Sequence, residues 1–289
     1  MSSDTLTPDA AFALLGDETR IAILRALFEN PYEPLSFSEL RERVGTRDSG
    51  RFNYHLGKLV GQFVRKTDDG YELTLAGWAV LGGVLSGTYT DSGYTEPVPY
   101  EEPCPACGGH VLATYADERM RVVCTDCDEQ FSSAGVPPGA LEGYDRDELP
   151  LAFERYMNSL VAQARNGVCI SCAGRLEPTL RLDLHDLPVD DDEAPLVVYE
   201  CHRCPELVTV SVGNALLDHP VVVAFHHERG VDLRRVPSWT LGWTRREPVV
   251  ESDDPVRVRV AVDVNGDSDT LELVVDEHLR VVETVAVGA

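Results

Sequence analysis

All eight cysteines of this 289-residue chain stand in four pairs of one spacing: Cys104-Pro-Ala-Cys107, Cys124-Thr-Asp-Cys127, Cys169-Ile-Ser-Cys172 and Cys201-His-Arg-Cys204. No other feature limits the possible folds as strongly. Two thiolates separated by two residues span one edge of a tetrahedron around a metal held at about 2.3 Å, so four pairs make two closed sites. The simplest pairing is sequential, with Cys104, Cys107, Cys124 and Cys127 in one site and Cys169, Cys172, Cys201 and Cys204 in the other. Each gap holds hairpin material, residues 111–115 against 120–123 and 176–184 against 196–199. The pattern therefore predicts two zinc ribbons with two Zn2+ per chain, Gly108 and Gly174 providing the backbone turn after a knuckle. Iron–sulfur ligation and redox-active thiols are the alternatives. Four thiolates leave no open coordination position, so the zinc is expected to be structural. His202, inside the fourth pair, reads as an outward-facing spectator.

Metal ligation suits a reducing compartment, where cysteines seldom form disulfides. The start of the chain has no basic region followed by an apolar run, and no apolar stretch reaches about 18 residues, which predicts a cytoplasmic protein without membrane spans. A hydrophobic share of 43% supports real cores, and 289 residues suggest more than one domain. The net charge is −24, and only two of the 25 basic residues are lysines, Lys58 and Lys66. That balance matches proteomes in which surface carboxylates hold water against concentrated intracellular salt, and it describes the solvent more than the function. The charge is unevenly spread. Residues 1–90 carry 9 basic and 12 acidic side chains, whereas residues 41–66 carry seven basic ones against Glu42 and Asp48 alone. This window is net +5 in an acidic chain and includes Arg47 and both lysines. A local basic patch is the electrostatic footprint a nucleic acid requires.

Within the window, residues 48–64 read as a helix. Phe52, Leu56, Leu59 and Phe63 recur at steps of four, three and four and form an inward stripe. Arg51, Tyr54 and Lys58 share the opposite face, and their guanidinium, phenol and ammonium are groups that read base edges and hold phosphates. Asp48 is the expected N-cap. Upstream, Thr7 and Pro8 open a short helix through Leu15, and Asp17 caps a helix over 18–29 with Ile21, Leu24, Leu27 and Phe28 buried and Asn30 and Pro31 as its stop. Ser36 and Glu39 form a capping box for a helix ending near Gly45. A tight turn over 46–48 then gives a helix-turn-helix, and residues 63–73 form a hairpin around Asp68-Asp69-Gly70 with Arg65 and Lys66 on its first strand. A helix over 74–86 is apolar around much of its circumference, which calls for a second copy of itself.

Residues 8–88 resemble the ArsR-type winged-helix regulators of halophilic archaea, in FALLGDETRIAILRAL, in SGRFNYHLGKL and in LTLAGWAVLGG after the hairpin. The resemblance covers under a third of the chain. It implies that Ser49, Arg51, Asn53, Tyr54 and Lys58 face DNA, with Arg65 or Lys66 on the wing. His55 falls where such proteins often carry histidine before a core leucine, implying a structural or phosphate-contacting role and not metal binding. Metal-sensing members carry cysteines in the third helix; FSELRERVG has none, so metal sensing is not carried over.

Between the ribbons, residues 137–139 mark a joint and 147–165 an amphipathic helix with Phe153, Tyr156, Met157, Leu160 and Ala164 on one face. Residues 190–193 read as a solvated acidic tip. Residues 207–212 predict a strand and 214–228 a helix interrupted at His219-Pro220, in which adjacent His226 and His227 point to different faces and make no metal pair. Trp239 and Trp243 flank a loop as core or ligand contacts. Strands over 256–264, 270–275 and 279–285, with a turn at Asn265-Gly266, predict an antiparallel meander. The fold class is thus α+β: a winged helix-turn-helix over 1–90, a first ribbon over 91–133, a linking segment over 134–167, a second ribbon over 168–212 and a helix and sheet over 213–289. The expected function is a dimeric, sequence-specific DNA-binding transcriptional regulator. A basal factor that docks on RNA polymerase or other basal transcription factors through its zinc half is the alternative, since a winged helix followed by a ribbon also resembles the archaeal polymerase partner that aids promoter opening. A thiol redox-responsive regulator is another. No Ser/His/Asp set, phosphate loop or separate carboxylate pair points to an enzyme.

Overall fold

In the computed structural model, which describes residues 6–29, 31–185, 187, 195–264 and 269–287, helices alternate with small antiparallel sheets. The chain divides into two units, Met1–Ser92 with Pro137–Gly139, and Gly93–Val136 with Ala140–Ala289.

The first unit is built by its caps. Pro8 sets the first turn of α1 (Pro8–Ala13), with Thr7 as N-cap. Asp17 accepts from the N–H groups of Thr19 and Arg20 and opens α2 (Glu18–Phe28). Ser36 and Glu39 make the reciprocal capping box of α3 (Phe37–Val44), which ends on Gly45 in the left-handed conformation at φ 73°. After the turn at 46–48 comes α4 (Ser49–Leu59), then β1 (Val64–Lys66), β2 (Tyr71–Leu73) and α5 (Leu75–Leu85). β1 and β2 pair as a hairpin, Val64 opposite Leu73. Two expectations change here. α4 is a turn shorter than the predicted helix, because Val60 is extended and Gly61 takes φ 96°; Phe63 still reaches the core, but from the turn before β1. In α2, Ile23 is fully buried where Ile21 was expected, because α3, α4 and α5 all pack on this helix and it buries more than one face. The predicted stop at Asn30 lies outside the described residues.

Among its described residues the second unit carries three sheets. β3 (Tyr94–Pro99), β4 (Val111–Ala116), β5 (Arg119–Cys124) and β6 (Gln130–Gly135) form a four-stranded meander. α6 (Leu149–Arg165) follows, then β7 (Leu176–Arg181), β8 (Leu196–Cys201) and β9 (Leu207–Ser211) as a three-stranded meander. The predicted interrupted helix is two short ones, α7 (Val212–Ala215) and α8 (Pro220–Glu228), because Pro220 cannot donate to a preceding turn and restarts the helix at its own first position. α9 (Gly242–Arg245) leads into a third meander of β10 (Val249–Asp253), β11 (Val256–Val262), β12 (Thr270–Asp276) and β13 (Val281–Val287). β3, β6 and β10 have no counterpart among the predicted strands. Prolines in β3, small polar residues in β6 and exposed valines in β10 hide the two-residue alternation at these positions. The acidic tip at 190–193 and the turn at 265–266 lie outside the described residues.

Two cores organise this unit. Met120, Val122 and Tyr115 of the first sheet pack with Phe153 of α6 and Trp239. Tyr199, Trp243 and the inward valines of β11 pack in the other, together with Ala164 near the end of α6. α6 thus contributes to both cores from one helix face. The joint at Pro137–Gly139 belongs to the first unit, where the Gly139 N–H donates to the Ser86 carbonyl at 2.8 Å.

Candidate metal centres and nucleic-acid interface

The eight cysteines gather into two sets of four, each with its sulfurs within 4.8 Å of one another and none disulfide-bonded. The pairing is sequential. Cys104 and Cys127 sulfurs are 3.8 Å apart and Cys107 and Cys124 3.6 Å; the second set repeats this with Cys169 and Cys204 at 3.6 Å and Cys172 and Cys201 at 3.5 Å. Tetrahedral thiolates on a metal at about 2.3 Å stand about 3.8 Å apart, so both donor sets fit a metal ion.

The two centres are built alike. Cys104 N–H donates to the Gly109 carbonyl and Cys169 N–H to that of Gly174; Cys124 N–H donates to Glu129 and Cys201 N–H to Glu206. Across each site Thr125 N–H reaches His110, as His202 N–H reaches Arg175. The third cysteine of each set is the last residue of a strand, Cys124 of β5 and Cys201 of β8, so the sheet fixes half of each site. Backbone N–H groups also point at the sulfurs: Gly109 at Cys107, Asp126 at Cys124 and Arg203 at Cys201, at 3.3–3.4 Å. Donation from Arg203 draws the Cys201 thiol down to about 6, favouring the thiolate a metal requires. Gly108 supplies a left-handed turn at φ 76°, as expected, but in the second knuckle Ala173 takes that conformation at φ 54°. Gly174 is needed for another reason: a Cβ there would stand 3.1 Å from the Cys172 sulfur and 3.2 Å from that of Cys201. His202 is exposed and pairs with Glu177 at 3.1 Å, outside the donor set.

In the first unit, α4 begins where the Asp48 carboxylate accepts from Gly50 and Arg51 N–H at 2.9 and 3.0 Å. Phe52, Leu56 and Leu59 are buried, while Arg51, Asn53, Tyr54 and Lys58 are exposed, as are Arg47 and Ser49 at the N-terminal end. The Lys58 ammonium stands 5.5 Å from the centre of the Tyr54 ring, so cation and phenol share one surface. On the hairpin, Arg65 and Lys66 are exposed, Arg65 held by Glu72 at 2.7 Å. His55 does not join this face. It lies on the stripe of Phe52, Leu56 and Leu59, is 7% exposed, and sets Nδ1 3.3 Å from the Asp17 carboxylate at the start of α2. Its place is in the core between two helices.

Residues 101–281 match the family described as a domain of unknown function, DUF7351. The chain belongs to the DUF7351 family. The matched stretch spans every cysteine and most of the second unit, so both cysteine sets lie within the DUF7351 region. Residues 8–84 match a second domain of unknown function, DUF7347, which spans α4 and the hairpin. No curated protein matches the chain.

Among the buried polar residues of the DUF7351 region, Glu154 and His226 are not among the site residues expected from sequence. Glu154, on the inner face of α6, is 6% exposed and its Oε1 accepts from Tyr100 Oη at 3.2 Å and Trp239 Nε1 at 3.1 Å. Burial pushes its carboxyl up to about 7. The signal was present, since 150, 153, 154, 157 and 161 share a helix face. His226 is fully buried, donates from Nδ1 to the Val222 carbonyl at 2.9 Å and accepts at Nε2 from Trp243 at 3.2 Å, while burial lowers its pKa and keeps it neutral. His227 is exposed on another face, so no metal pair forms there. No helix among the described residues is long and apolar enough to cross a membrane.

Proposed function

We propose that this protein is a dimeric, sequence-specific transcriptional regulator whose first unit is a winged helix-turn-helix and whose cysteine sets hold structural zinc. One observation carries the reading. In a chain of net charge −24, both lysines and three arginines, Arg47, Arg51 and Arg65, fall on the outer face of α4, the turn before it and the hairpin after it, while the inner face of the helix is apolar apart from His55. Arg51, Asn53 and Tyr54 would read base edges in a major groove, Lys58, Arg47 and Ser49 would hold phosphates, and Arg65 and Lys66 would reach the adjacent backbone from the wing. The Asp17 contact of His55 gives it a different task, fixing α4 against α2. Dimerisation would set two reading helices about 34 Å apart on successive major grooves. A surface for this is available on α5, where Leu75 is 86% exposed and Leu85 49%, with exposed Ala79 and Gly82 between them.

Cysteine sulfur is a soft donor, and a closed set of four suits Zn2+, which would cross-link the strand ends and leave no position for a substrate. In this reading the metal stabilises the second unit and performs no chemistry. The deciding experiment maps where the protein sits on chromosomal DNA in its own salt. A limited set of sites sharing an inverted repeat is expected, and Arg51→Ala with Tyr54→Ala should erase that preference while the circular dichroism spectrum is unchanged. Occupancy at most active promoters without a shared motif would replace the regulator with a basal factor.

A further inference from the structure

The second unit contains a cavity of about 460 Å³, within the range of small-ligand sites. α6 supplies one side through Glu154, Met157, Val161 and Arg165; β6 and β9, the outer strands of two different sheets, supply others. Its lining charges, three arginines and three glutamates, are not evenly paired. Each of three lining arginines already faces a carboxylate: Arg165 faces Asp218 at 3.3 Å, Arg246 faces Asp263 at 2.6 Å, and Arg245 faces Glu129. Glu154 has no such counterpart. Its partners are the neutral Tyr100 hydroxyl and Trp239 indole and the Ser238 backbone, and the charge that acts on it is that of another carboxylate, Glu102. Among the described residues no cation pairs with it. Exposed Glu247 adds a further lining carboxylate.

Among the described residues, two of the three lining atoms buried without a hydrogen bond are oxygens; the third is Arg165 Nε, which stands 3.3 Å from the Asp218 carboxylate. Asn214 Oδ1 and Ser132 Oγ, both on lining residues, are buried without a partner, and the first only accepts. At Glu154 and Asn214, a ligand that completes this cavity would bring positive charge and N–H donors. The aromatic residues do not form an open cage for it, because Phe131 is sandwiched between Trp239, stacked at 4.8 Å, and the Arg245 guanidinium at 4.6 Å. Met157, Val161 and Val210 offer apolar contact beside the carboxylate.

We infer that this cavity binds a small organic cation, an amine carried on an apolar body, whose ammonium pairs with Glu154 and whose body lies against Met157, Val161 and Val210. The inference stands apart from the DNA-binding reading, since every residue in it belongs to the second unit. The test uses the full-length, metal-loaded protein and two probes of nearly equal shape, benzylamine and benzyl alcohol, titrated at pH 7.5 while the methyl resonances of Met157, Val161 and Val210 are followed by NMR. Benzylamine should perturb these methyls and bind at least about tenfold more tightly than the alcohol, the value of one charge-assisted hydrogen bond. Glu154→Gln keeps an oxygen for Tyr100 and Trp239 and should bring the two probes to equal affinity. Equal affinity in the wild type would mean a merely apolar cavity and would overturn the assignment. So would perturbation by neither probe, or a benzylamine preference that survives Glu154→Gln.

Discussion

Glu154 shows how a single residue's surroundings set its chemistry. A glutamate on a surface helix would be ionised at neutral pH, but on the inner face of α6, between Tyr100 and Trp239, burial raises its carboxyl from 4.5 to about 7. The folded state therefore holds a proton that the unfolded chain releases. The stabilisation is complete below the unfolded value and is lost as pH rises through the folded one, so it fades from pH 4.5 to about 7. Its full size is about 3 kcal/mol for a group this deeply buried. Denaturant unfolding at fixed salt should show wild-type stability declining over this window relative to Glu154→Gln, which has no proton to lose. Parallel pH profiles for the two proteins would mean that the carboxyl titrates normally. His226 is lowered by burial and acts in the opposite sense, losing its contribution as pH falls below 6.5, so only the difference between variant and wild type isolates Glu154.

At the level of elements, the cysteine sets fix strand pairing. β4 and β5 meet with Val111 opposite Cys124, and β7 and β8 with Leu176 opposite Cys201, so each donor set closes the end of one hairpin. Short hairpins are marginal in water without a core or a cross-link. Removing the metal with a chelator under reducing conditions should therefore release amide protection first in β4, β5, β7 and β8, while α2 to α4 keep theirs. Native mass spectrometry should count two ions per chain before the chelator and none after. Protection in those strands that persists after complete metal loss would show that side-chain packing alone holds the hairpins. α4 depends on a different kind of end. Its geometry rests on the Asp48 cap and on an apolar stripe that includes His55, so the outer face needs no metal to be presented.

For the molecule as a whole, the acid excess and the basic window must operate together. In the proposed reading, the release of counterions from DNA would contribute little to affinity in concentrated salt, so binding would rest on base contacts and on two copies acting together. The exposed apolar stripe of α5 is the surface we propose for that association. Leu75→Glu should convert a dimer to a monomer, read by light scattering in molar KCl, and weaken operator binding without changing the fold. A wild-type protein that is monomeric under those conditions would remove α5 from this role and leave each copy reading a single half-site.

Local chemistry settled a good deal of this structure in advance. Asp17, Ser36 and Asp48 each accept from the first turn of the helix they are expected to open, and Thr74 does the same for α5, because a cap is written in a few adjacent residues. The partition of the cysteines into two sets follows equally from spacing, since a knuckle and a hairpin are local. The strands β3, β6 and β10 pair with their sequence neighbours but lack the alternation that would announce them, whereas the burial of His55 and Glu154 and the cavity between two sheet edges depend on neighbours far along the chain. Tyr100 and Trp239, which bracket Glu154, lie 54 and 85 residues from it. Periodicity states which residues share a face; only packing determines which neighbour covers that face and which polar group is left inside.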